Sequence, residues 1–191
     1  MDHDERVLAD RRRALEEAFF KKQNEKLRAK LAAEKEREAA RRELHAAFPN
    51  APGEILDRFI EHGLDTEAVA ALGLVPCVMV AWAGGRVGER EREAVLALAR
   101  DNGLAPGGKP HTLLAGWLTE QPSASLVDLW SHYVAALCKG LTPEERDRVR
   151  DRIVGLSREV ARTSGGFLGL GDRVSDEEAA VIERIEQAFR V

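Results

Sequence analysis

The chain has 191 residues, 32% charged, 44% hydrophobic and only 5% aromatic, a length that allows one domain with an extension and a core that needs no disulfides. Few aromatics beside abundant Ala, Leu, Arg and Glu argue for helix over sheet, and no apolar run is long enough to span a membrane. Residues 1–47 hold 13 basic and 11 acidic side chains and residues 48–191 hold 16 and 22, so the larger part, at −6, is a poor nucleic-acid binder.

The opening Met1-Asp2-His3-Asp4-Glu5-Arg6 is acidic and leads into no apolar core, so no secretion signal is expected. Residues 4–46 contain neither Gly nor Pro and read as one long helix. Leu8, Leu15 and Phe19 fall on one stripe, and Phe20, Leu27 and Leu31 on a second with the same spacing. The two stripes lie about 120° apart. Leu15, Phe19, Phe20, Leu27 and Leu31 therefore form a broad apolar arc, expected to bury against the body, a protein partner or a second copy. Residues 32–43 lose the stripe. Pairs such as Glu34 with Arg37 and Glu38 with Arg42 suit a solvated helix surface. The segment from Phe48 to Gly53 carries two prolines, with Pro52 expected in the first turn of the next helix after Asn50 or Ala51, and separates an N-terminal helix, 1–47, from a body, 50–191.

In the body, a short helix with Ile55, Phe59 and Ile60 is expected to stop at Gly63. A second, capped by Asp65, should stop near Gly73. Residues 74–83 are almost wholly apolar and read as a buried helix with Pro76 in its first turn. An amphipathic helix over 88–102 turns Val95, Leu96, Leu98 and Ala99 inward. Residues 103–110 read as a loop, and a helix from about 111 to Gln121 carries Leu113, Leu114, Trp117 and Leu118. Residues 124–139 place Leu126, Leu129, Trp130, Tyr133, Val134 and Leu137 on one face. Thr142-Pro143-Glu144-Glu145 is a capping box opening a helix to about Thr163, and Ser175-Asp176-Glu177-Glu178 is another opening the last helix. The Gly-rich segment 165–171 between them reads as a tight loop with Phe167 and Leu168 tucked inward. No alternating strand pattern occurs, and the fold class is all-α.

Two segments align at a constant offset of 87: Gly84–Glu91 with Gly171–Glu178, after which Val95 and Leu98 fall on Ile182 and Ile185. Each has a Gly turn, a buried Val, a helix start and a Glu three residues into the helix. Ala81-Trp82-Ala83-Gly84-Gly85-Arg86-Val87, followed by Glu89 and Glu91, resembles the tellurite-resistance TerB-like domain over roughly residues 70–191. The resemblance implies an all-helical fold of two pseudo-repeated halves, a bacterial stress-response setting, no enzymatic activity, and divalent-cation binding by acids near the turns. The family's turn Asp falls on Gly84 here, so the cation ligands it leaves are Asp172, Asp176 and Glu178 of the second turn. A hard cation needs about six oxygen ligands. The same acids serve equally as cap and first-turn carboxylates facing the helix dipole, and that reading is preferred.

No catalytic constellation emerges. The five histidines show no HxxxH or HExxH spacing. His132 follows Asp128 by four, but both lie opposite the apolar face of their helix and read as a surface pair. Cys77 and Cys138 sit in apolar settings, as buried thiols of a reducing, cytoplasmic compartment do. Trp82, Trp117 and Trp130 read as core. The expectation is a non-catalytic interaction or scaffold module that engages a protein partner or a second copy through its N-terminal helix. The alternative is a divalent-cation or small-ligand sensor.

Overall fold

The computed structural model describes residues 3–49, 51–164 and 174–190, with the side chains of 3–15, 18 and 164 outside the described set. The protein is all-α: 76% of it is helical, and no strand occurs among the described residues. The helices are α1 (His3–Ala47), α2 (Gly53–Glu61), α3 (Val75–Ala81), α4 (Glu89–Asp101), α5 (Lys109–Trp117), α6 (Ala124–Cys138), α7 (Pro143–Ser164) and α8 (Asp176–Gln187). A 3-10 helix, Ala68–Leu74, sits between α2 and α3. The chain divides into two compact units, Met1–Arg42 and Glu43–Val191.

The first unit is α1 up to Arg42, a stretch of good helix formers with no breaker. The last turn of α1 belongs to the second unit, where Leu44 is buried in the core. The core of that unit centres on α3, which packs against α7, α8, α4, α5 and the 3-10 helix. Val75, Cys77, Val78 and Val80 of α3 are all buried. A helix apolar on every side belongs in the middle of a fold, and Pro76 in its first turn sacrifices no intrahelical hydrogen bond. Against it lie Val95, Leu98 and Ala99 of α4, Val154, Ser157, Val160 and Ala161 of α7, and Ile182 and Ile185 of α8. Phe59 of α2 stacks edge-on with Phe48 and with Tyr133 of α6, at centroid distances of 6.2 and 5.6 Å.

Two chain reversals use one device. After α2, Gly63 has φ +67°, its N–H donates to Ile60 O, and the Leu64 N–H donates to Phe59 O at 2.8 Å. After α4, Gly103 has φ +83°, its N–H donates to Arg100 O, and the Leu104 N–H donates to Ala99 O at 2.9 Å. Both are Schellman closures, in which a left-handed residue turns the chain and satisfies the last helical carbonyls.

Four local readings change. The segment capped by Asp65 is a 3-10 helix, although Asp65 Oδ1 does accept the Ala68 N–H at 2.9 Å. Pro52 stands one residue before α2, in extended backbone. Helix α5 begins at Lys109 rather than 111 and ends at Trp117, because Pro110 fills the first turn as Pro76 does in α3. Leu137 is exposed, although it stands on the same face of α6 as the buried Trp130 seven residues before it.

Candidate functional site

The most unusual surface belongs to α1. Phe19, Phe20, Leu27 and Leu31 are 57%, 63%, 55% and 49% exposed, and Phe19 and Phe20 meet edge-on at 5.9 Å. At about 100° per residue, Phe20, Leu27 and Leu31 share about 40° of the helix surface. Phe19 stands some 80° further round. Leu15, the fifth residue expected in this arc, has its side chain outside the described residues. The arc lies in a basic setting. Lys21, Lys22, Lys26, Arg28 and Lys30 are all exposed, and Glu25 is the one acid between Phe19 and Leu31. None of these five cations has an acidic partner among the described residues.

Of the acids expected to hold a cation, Asp172 lies outside the described residues. Asp176 is exposed in the first turn of α8. Glu178 is buried and its carboxylate accepts the Ser175 N–H at 2.8 Å, while the Ser175 hydroxyl accepts the Glu178 N–H at 3.2 Å. This is a reciprocal capping box, which consumes lone pairs a cation would need. Among the described residues no group of three His, Cys, Asp or Glu is placed to hold a metal ion. The aligned start of α4 repeats half of the box. The Glu91 carboxylate accepts the Gly88 N–H, and Gly88 has no side chain to answer it. Gly88 and Ser175 share the same backbone, φ/ψ −80/165° and −67/164°. Val95 and Leu98 of α4 and Ile182 and Ile185 of α8 are all buried. Gly108 and Ser123 at the starts of α5 and α6 have the same extended backbone, φ/ψ −68/158° and −61/152°, which is ordinary for an N-cap.

Several other polar groups already have partners. His132 Nδ1 lies 2.6 Å from its own helix's Asp128 carbonyl, not from the Asp128 carboxylate, and 3.1 Å from an Arg58 guanidinium nitrogen. One ring nitrogen cannot donate to the first and accept from the second, so the two contacts compete. His62, facing Arg58 and Glu61, has its pKa lowered by burial and then by the Arg58 charge. Cys77 bonds Ser157, and burial pushes its thiol up to about 12. Burial raises the Cys138 thiol as well. Neither forms a thiolate at neutral pH, so neither suits nucleophilic attack. Thr142 and Glu145 cap α7 reciprocally, and that contact holds the Glu145 carboxyl below the usual carboxylate range.

Two shallow grooves flank Pro122. One is lined by Leu113, Trp117 and Leu126, the other by Met79, Trp82 and Val181. Trp82 and Trp117 are half-buried rather than fully inside, and only Trp130 is a true core indole. The sequence carried no signal for these grooves, since each joins residues far apart in the chain.

No helix among the described residues is long and apolar enough to cross a membrane. No family model, no curated protein and no solved structure matches the chain.

Proposed function

We propose that the protein is a non-catalytic interaction or scaffold module of TerB-like type that docks through the apolar arc of α1. The observation that carries this is the exposure of four large apolar side chains, Phe19, Phe20, Leu27 and Leu31, on one helix. Large apolar groups clustered on a surface mark contact sites, and aromatic anchors such as Phe19 and Phe20 concentrate binding energy. The engaged polar groups point the same way, since Glu178 and Glu145 serve as caps and Cys77 is packed in the core. The TerB-like assignment, and with it the bacterial stress-response setting, rests on the Ala81–Val87 segment with Glu89 and Glu91.

The test compares the full chain with a Phe20→Glu, Leu27→Glu variant. Both are immobilised and exposed to cell extract, membranes included. The wild type is expected to retain material that the variant releases, while both melt at the same temperature. Equal recovery rejects α1 as the docking element. Turnover of a substrate by the purified chain rejects the non-catalytic reading.

A further inference from the structure

We infer that residues 19–31 of α1 attach the protein to an anionic lipid surface, an inference that rests on α1 being the docking face. Charge selects the occupant. Between Phe19 and Leu31 there are five basic side chains and one acid, all exposed. A second copy of the same segment would set these charges against one another in either orientation. Taking Phe20, Leu27 and Leu31 as the seam of a parallel pair, Lys30 of one copy would face Lys35 of the other. In an antiparallel pair centred on this segment, Lys21 of one copy would face Arg28 of the other. Like charges across a helical seam destabilise it, so the segment repels itself and suits a negative surface.

The shape of the face selects lipid over an acidic protein groove. Phe20, Leu27 and Leu31 form a narrow ridge, but Phe19 stands to one side of it with Lys26 and Lys30 on its flanks. A protein groove that buried Phe19 with the ridge would also bury a lysine and need a partner for it. At a bilayer interface the lysine stem lies along the acyl boundary and its ammonium reaches the headgroups. Apolar residues on one face and Lys and Arg around it are the pattern of a helix lying in the interface plane. From Ala32 onward the chain returns to interspersed Glu and Arg without large apolar groups, so the contact is limited to about four turns of helix. An insertion this short has modest apolar area and depends on headgroup charge.

The experiment is co-sedimentation of the full chain with vesicles of phosphatidylcholine alone and of phosphatidylcholine mixed with phosphatidylglycerol. Binding is expected to the mixed vesicles and not to the neutral ones. It should disappear in about 1 M salt, where the Debye length falls to about 3 Å. Lys26→Gln with Lys30→Gln should weaken binding about 25-fold, at about five-fold per basic residue. Phe20→Glu with Leu27→Glu should abolish it. All four side chains are exposed, and an unchanged melting temperature confirms that each variant folds. Absence of binding to mixed vesicles, equal binding to neutral ones, or indifference to either pair of substitutions overturns the inference. Binding to polyglutamate in place of the mixed vesicles also overturns it and reassigns the face to an acidic polypeptide. If vesicles fail while extract recovery still separates the chain from its Phe20→Glu, Leu27→Glu variant, the lipid assignment falls and the docking role of α1 stands.

Discussion

The indole Nε1–H of Trp82 donates to the backbone carbonyl of Trp117 at 2.8 Å. Trp82 caps the C-terminus of α3, and Trp117 is the last residue of α5. The final carbonyls of a helix lack intrahelical donors, so one side chain both closes α5 and ties it to the central helix. Trp82→Phe keeps most of the ring and deletes the donor. It is expected to cost about 1–2 kcal/mol, seen as a lower urea midpoint with an unchanged slope.

The capping box at α8 gives a second prediction. Ser175→Ala removes the acceptor of the Glu178 N–H and should cost about 1 kcal/mol. Glu178→Ala should cost a similar amount, because it leaves the Ser175 N–H without its carboxylate. Both losses are expected to be the same with and without added calcium, magnesium or zinc when followed by thermal melting. A loss that grows with metal would make Glu178 a ligand rather than a cap.

Acid sensitivity should come in two stages. The folded His62 titrates below its ordinary 6.5 because burial, and then Arg58, disfavour the imidazolium. The unfolded chain therefore binds the proton first. The contribution of His62 is complete above pH 6.5 and fades as pH falls below it. Asp65 titrates below its ordinary 3.8, chiefly through the Lys109 ammonium and then the Ala68 N–H. Its contribution is complete above 3.8 and is lost as pH falls through the folded value. The Lys109–Asp65 pair is 45% and 42% exposed, so solvent screening keeps its share below about 1 kcal/mol. Melting temperatures across the acid range should show the upper stage vanish in His62→Gln and the lower stage shrink in Asp65→Asn.

The two thiols should be inert in the native protein. Cys77 and Cys138 are 1% and 0% exposed, and burial holds both thiols protonated. Iodoacetamide at neutral pH is expected to modify neither until denaturant is added, when both react. Prompt native labelling of Cys77 would mean that α3 and α7 do not pack as described.

The helices were legible wherever one local signal dominated. The absence of Gly and Pro before residue 47 announced α1, and the Thr142 and Ser175 boxes fixed the starts of α7 and α8. The start of α5 was misplaced because Gly107-Gly108-Lys109-Pro110 carries loop residues, and proline after glycine serves a turn as well as a first helical turn. The 3-10 geometry of Ala68–Leu74 was illegible, since the same residues suit an α-helix and tertiary packing makes the choice. The exposed arc of α1 was visible as periodicity. The Trp82–Trp117 bond was not, because no local pattern links side chains 35 residues apart. The cap role of Glu178, the third metal candidate, was legible too, because a Glu three residues after Ser175 is the capping-box spacing, and that contact occupies its carboxylate.

The closures at Gly63 and Gly103 bear on how fast the molecule assembles. Each is complete within six residues, 59–64 and 99–104, and each brings a leucine back toward the helix it ends. Such a reversal can form before any distant helix arrives, because closing so short a loop takes only about 10–100 ns. The folding search then joins helices whose direction is already reversed, and an all-helical chain with local contacts of this kind falls among those that fold in about microseconds to milliseconds. Replacing either glycine by alanine puts a side chain at positive φ in that early step, so the penalty would appear in the rate of folding as well as in the stability of the finished fold.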